Sequence, residues 1–115
     1  MKSREKQYLL DILLAAEQAQ SFVAGCPDDV LMENALIRAG VFYSLAVIGE
    51  AANRILKVDP VPELPNLPWH KMAGLRNVII HEYEGVNLDR VWEVVHHELP
   101  VVIATLSPLF PERTR

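Results

Sequence analysis

Apolar positions recur with a helical period along almost the whole chain, and the strict alternation of a half-buried strand is nearly absent, so four helices joined by short loops are expected. The first is predicted from about Ser3 to Val23. Tyr8, Ile12, Ala15, Ala19, Phe22 and Val23 form its core stripe, and Gly25 with Pro27 behind it supplies the stop. At about 100° per residue, Leu10 and Leu14 fall on the opposite arc among Glu17, Gln18 and Ser21. One bundle core does not cover every leucine of such a helix, and a second packing surface is implied.

Asp28 or Asp29 is placed to cap a long second helix that reaches Lys57, roughly 28 residues and ~42 Å in length. Its centre, residues 39–49, is apolar all the way round apart from Ser44 and contains Gly40 and Gly49. A helix without a wet face is buried on both sides. In a chain of this size the second side is most economically another copy of the same protein, the alternative being a neighbouring helix of the same monomer. Residues 59–68 then hold four prolines (Pro60, Pro62, Pro65 and Pro68), which make a stiff connector. Pro68 suits the first turn of a short third helix over residues 68–81, and Gly85 falls in the turn that follows. Asn87 caps a fourth helix whose Leu88, Val91, Trp92, Val95, Leu99, Val102, Ile103 and Leu106 form an i, i+3, i+4, i+7 stripe. Pro100 removes one backbone donor inside that stripe and predicts a kink, and Pro108 and Pro111 end it. The expected fold is all-α, an antiparallel four-helix-type bundle. It forms one domain over residues 1–115, with a core at 3–107 and a C-terminal tail at 108–115.

Composition narrows what such a bundle does. Half of the 115 residues are apolar, which excludes whole-chain disorder, and the formal net charge of −4 excludes a uniformly basic phosphate binder. The charge is uneven, however. Residues 38–81 carry five basic side chains (Arg38, Arg54, Lys57, Lys71, Arg76) against three acidic ones (Glu50, Asp59, Glu63), a balance of +2 that leaves −6 elsewhere. An anionic ligand is to be sought in that middle segment. Cys26 stands alone, so no intrachain disulfide is possible and a reducing, cytoplasmic setting is expected. Asp11 and Glu17 interrupt the apolar stretch after the basic start, which argues against a signal peptide. The long uncharged runs, 11 residues between Arg38 and Glu50 and 13 between Glu98 and Glu112, are short of the roughly 20 that span a bilayer, so a soluble chain without a membrane partner is expected.

The third helix carries the candidate chemistry. Projected down its axis, Trp69, Met72, Ala73, Leu75, Ile79, Ile80 and Tyr83 share the side of Arg76, while His70, Gly74, Asn77 and His81 form a separate polar arc. A guanidinium set in an apolar face needs a carboxylate, a carbonyl, a ligand or a route to water. Glu50 and Glu93 are the candidate structural partners. His81, one turn beyond Asn77, can both take and give a proton near neutral pH. A fork-shaped donor that holds a phosphate beside such a proton shuttle is a minimal phosphodiester-cleaving site. His96, His97 and Glu98 suggest a metal site by their proximity. Adjacent histidines point about 100° apart on a helix, though, and a solvated face is the expected reading, with no metal or cofactor.

Arg76-Asn77-Val78-Ile79-Ile80-His81-Glu82-Tyr83 reads R-x4-H-x-Y. This resembles the signature of HepT-like toxins of the HEPN superfamily, small helical ribonucleases paired with a minimal nucleotidyltransferase antitoxin. The surrounding chain looks like the same family. Tyr8 to Leu13, Ile48-Gly49-Glu50-Ala51-Ala52, Leu67-Pro68-Trp69, Gly74-Leu75-Arg76-Asn77, Gly85-Val86-Asn87-Leu88 and Val91-Trp92 all carry the likeness, which covers residues 8 to about 106. The resemblance implies that Arg76 and His81 are the catalytic pair in a metal-independent RNA cleavage. It makes Asn77 the polar residue that helps place the arginine, and Tyr83 the hydroxyl that the antitoxin modifies with AMP. It also implies a homodimer that brings two motifs into one cleft. Glu84 departs from the family, which commonly has an aromatic residue there, and together with Glu82 it lowers the positive potential beside the site. Residues 37–45 are less typical as well. A reading of a different class is a non-catalytic helical dimerisation module that binds the nucleotidyltransferase or a nucleotide, with Arg76 holding a phosphate.

Overall fold

The computed structural model of the chain describes residues 3–58, 60–64, 66–81, 85 and 87–113, with the backbone alone at 78, 80, 81 and 113. The described residues contain no strand. In order they form α1 (Ser3–Val23), α2 (Val30–Glu33), α3 (Ala35–Ile55), α4 (Trp69–His81), α5 (Leu88–Glu93) and α6 (Leu99–Leu106). A π-helical turn, Val94–Glu98, joins α5 to α6, and 3-10 turns at Ser107–Leu109 and Pro111–Arg113 follow.

The first helix has the predicted bounds. Gly25 has φ +73°, the left-handed conformation that glycine adopts without strain, so the chain turns there. The buried row of α1 is broader than the predicted stripe. Leu9, Ile12, Leu13, Ala16 and Ala19 are wholly inaccessible, whereas Tyr8 and Phe22 are only partly covered. The cause is that α1 packs against both α3 and α6, so its buried arc exceeds one row. Leu14 is exposed as expected, but Leu10 packs partly against the core.

The predicted long second helix is broken. Asn34 adopts an extended backbone (φ −121°, ψ 100°) and its side-chain oxygen accepts from Ile37 N at 3.0 Å, which starts α3 afresh. Asp29 precedes α2 but makes no side-chain cap hydrogen bond. The carbonyls stranded at the break do not go unpaired, because Arg38 Nη1 donates to Leu31 O at 3.0 Å and to Met32 O at 3.1 Å.

Helix α3 is the central element, with α1 and α4 both packed on it and Val41, Leu45, Ile48, Ala52 and Ile55 wholly inaccessible. By length and composition alone α3 is apolar enough to cross a bilayer, a property it shares with core helices of this kind. Burial on every side is not reached within one chain, since Leu36 and Tyr43 remain largely exposed. At the C-terminal end Asn87 caps α5, accepting from Arg90 N at 3.1 Å. The perturbation expected at Pro100 takes the form of the π turn. Leu99 N–H reaches back to Val94 O, a wider loop that accommodates the missing proline donor. Phe110, inside the stretch expected as a tail, is buried.

Candidate functional site

The site is built where α3 and α4 cross. A Cβ added at Gly49 would lie 2.5 Å from Arg76 N and 2.7 Å from Arg76 Cβ, so glycine is what lets the two backbones approach at this point. Trp69, Met72 and Ile79 fasten the apolar side of α4 into the core. Arg76, set among them, brings its head out to the surface, where its side chain is 44% exposed. Of its two candidate partners the structure selects Glu50, with Nε 2.7 Å from Oε1. Glu93 pairs instead with Arg90, at 3.7 Å.

Glu50 uses its other oxygen as well. Oε2 lies 3.4 Å from Nε of Arg54, whose guanidinium carbon is 6.0 Å from the centroid of the Tyr8 ring. The Tyr8 phenol first, and Glu50 next, raise the Arg54 pKa. A chain of polar contacts thus runs from α1 through α3 to Arg76 on α4. Half-exposed pairs of this kind add at most about 1 kcal/mol to stability, so their main effect is orientation. No ion pair with any other described residue engages the Arg76 guanidinium, which leaves capacity for an oxyanion.

Two clefts flank this pair. Tyr8, Asp11, Glu50 and Arg54 line one. Asn53, His70, Gly74, Arg76 and Asn77 line the other. Asn77 is exposed beside Arg76, as the polar arc predicted. His81 is the last residue of α4, and the helix register puts it one turn beyond Asn77. Its side chain, together with Tyr83, Glu82 and Glu84, lies outside the described residues.

A second polar cluster ties the π turn to α4. Glu98 pairs with Arg90 and, at 3.4 Å, with Lys71 Nζ. Burial alone would raise the Glu98 carboxyl, but the Arg90 hydrogen bond and the charges of Arg90 and Lys71 outweigh it and hold the pKa below its ordinary value. His96 stacks its ring on Trp92 at 3.9 Å between centroids and sets Nδ1 3.0 Å from Trp92 O. Glu98 and His96 therefore have structural partners, and the described residues contain no group of three or more side chains able to hold a metal ion.

Sequence reasoning named Glu50 only as one possible partner and did not single out Arg54, Asn53 or Lys71 for the site. The i, i+4 spacing of Glu50 and Arg54 was a usable signal. No local pattern links Lys71 to Glu98, which meet only through tertiary packing.

The profile of the family described as ribonuclease HepT-like matches residues 12–109. A Methanocaldococcus jannaschii protein whose name marks it as a candidate RNase is 35% identical over 97 residues, 84% of this chain and 88% of that protein. A Thermococcus cleftensis protein named as a candidate ribonuclease HepT is 35% identical over 101 residues, 87% of this chain and 90% of its own length. The mRNA nuclease HepT of Shewanella oneidensis is 55% identical over 29 residues, 25% of this chain and 22% of that protein. No solved structure matches the chain significantly.

Proposed function

The chain belongs to the HepT-like ribonuclease family, and on that premise we propose that it is the toxin of a toxin–antitoxin pair, a metal-independent endoribonuclease that cuts RNA through Arg76 and His81. The observation that carries this reading is the ion pair that holds Arg76 at the edge of a polar cleft, with guanidinium capacity left for a phosphate. In the proposed reaction the RNA 2′-hydroxyl attacks the adjoining phosphorus and the 5′ oxygen of the next nucleotide leaves. Arg76 stabilises the charge that builds on the non-bridging oxygens. His81 moves the proton of the attacking hydroxyl or of the leaving oxygen, and Asn77 helps to place the arginine.

The apolar side chains left exposed on α3, Leu36 and Tyr43, support a homodimer in which two copies of the motif share one cleft. Regulation is by a minimal nucleotidyltransferase antitoxin. The Tyr83 oxygen attacks the α-phosphate of ATP, pyrophosphate leaves, and the attached AMP puts negative charge where an RNA phosphate would bind.

Expression in cells tests the pair of claims. The wild-type chain is expected to arrest growth with RNA cleavage, and Arg76→Ala or His81→Ala to relieve both. Incubation with a cognate minimal nucleotidyltransferase and ATP is expected to add the mass of one or more AMP groups at Tyr83. A mass increase that maps elsewhere, or none, overturns the regulatory part. Growth arrest that persists in both variants overturns the catalytic part.

A further inference from the structure

Arg76 stands between two clefts of opposite electrostatic character. On one side the Asp11 and Glu50 carboxylates line the cleft, offset among the described residues only by Arg54. On the other the lining is Asn53, His70, Gly74, Asn77 and Arg76 itself, with apolar Leu56 and Ala73 beneath and no described carboxylate. A polyanion seated at Arg76 is repelled along the first direction and accepted along the second. We propose that the second cleft, between the C-terminal end of α3 and the outer face of α4, holds the nucleotide adjoining the cut phosphate, with Asn53 and His70 as the residues that select its base. The inference rests on the ribonuclease reading above and adds to it a path for the RNA across the surface and a specificity site.

The shape of the cleft fits that occupant. His70, Gly74 and Asn77 follow one another at helical spacing along one face of α4, over about 10 Å of helix axis. The middle position is glycine, and no described atom outside its own stretch of helix lies within 4 Å of where its Cβ would stand, so this part of the cleft is open enough for a planar ring to approach the backbone. Asn53 faces the row from α3, and Asn53, His70 and Asn77 are all exposed. A carboxamide offers a donor and an acceptor side by side, which is what the hydrogen-bonding edge of a base requires. An imidazole beside it supplies a stacking surface. Both contacts need a base that is free of a duplex, so the preferred substrate is single-stranded RNA.

Two measurements test the cleft. In the first, the 5′ ends produced by wild-type protein from a randomised single-stranded RNA pool are sequenced. A base bias is expected at one nucleotide adjoining the cut, and Asn53→Ala or His70→Ala is expected to weaken that bias by about fivefold or more, the discrimination of one amide–base contact. In the second, 2′-O-methyl oligonucleotides, which lack the attacking hydroxyl, carry 4-thiouridine at successive positions and are photo-crosslinked to the wild-type protein. Crosslinks are expected at residues 53–56 and 70–77. Cleavage with a bias unchanged in both variants, or crosslinks confined to other surfaces, overturns the cleft assignment and leaves the ribonuclease reading intact. Crosslinks in the cleft without cleavage of any RNA support the cleft and remove the ribonuclease reading. Neither cleavage nor crosslinking overturns both.

Discussion

Arg76 Nε and Glu50 Oε1 stand 2.7 Å apart across the crossing of α3 and α4, next to Gly49, whose missing side chain brings the two backbones together. Backbone contact and ion pair act at the same point. The glycine sets the distance between the helices, and the carboxylate sets the direction of the arginine.

Removal of Glu50 therefore separates rate from stability. Both partners are more than a third exposed, so Glu50→Ala is expected to shift unfolding by no more than about 1 kcal/mol. The same change is expected to lower kcat for RNA cleavage by about tenfold or more with a smaller effect on KM, because a misdirected guanidinium loses contacts made in the transition state. Glu50→Asp should recover part of the rate. Steady-state kinetics beside urea unfolding checks this, and equal losses of stability and rate would count against an orienting role.

Two glycines of the site give opposite expectations. Gly49→Ala puts a methyl group into the Arg76 backbone, which has no flexible end to yield, and is expected to destabilise the protein by about 1–3 kcal/mol. Gly74→Ala meets open space inside a helix and is expected to stabilise by about 0.5–1 kcal/mol through the gain in helix propensity. Denaturant midpoints of the two variants against wild type test the contrast.

Much of this architecture was legible in the sequence, and the exceptions have physical causes. Gly25 and Asn87 read correctly as a stop and a cap because the geometry each supplies is local. The break at Asn34 is not legible because the apolar periodicity continues across it, with Val30 and Leu31 buried on one side and Val41 on the other, and because the reach of Arg38 back to the broken end is a tertiary contact. The core row of α1 reads too narrow in the sequence, which does not say how many helices cover it. The same holds for the site. Arg76 stood out as a cation in an apolar face, yet Glu50 and Glu93 were equivalent candidates until the close approach at Gly49 brought α3 to it. His70 and Asn77 shared a predicted arc, but Asn53 joined them only through the packing of α3 on α4.

The break at Asn34 carries its own expectation. Asn34→Ala removes the side-chain acceptor for Ile37 N–H and is expected to cost about 1 kcal/mol, whereas Asp29→Ala removes no cap hydrogen bond and is expected to be nearly neutral. Thermal unfolding of both variants distinguishes this from the unbroken helix that the periodicity suggests.

Glu98 makes stability depend on pH. Its carboxyl pKa in the folded chain lies below the ordinary 4.5, so its contribution is present above that ordinary value and is lost as pH falls through the folded-state pKa. Glu98→Gln is accordingly expected to lower Tm at pH 7, and the gap from wild type is expected to close as pH falls below about 4.5. A gap that stays constant from neutral to acid pH would show that the charge of Glu98 does not matter to the fold.

The central claim concerns Arg76 and His81, and metal-free cleavage by purified protein tests it most directly. Wild-type protein, Arg76→Ala, Arg76→Lys and His81→Ala are incubated with a single-stranded RNA pool in excess EDTA, with circular dichroism to confirm that each is folded. The expected result is cleavage by wild type, loss of at least about a hundredfold in the two alanine variants, and little recovery by lysine, which lacks the planar fork. Undiminished cleavage by folded Arg76→Ala and His81→Ala, or wild-type cleavage that EDTA abolishes, would contradict the account.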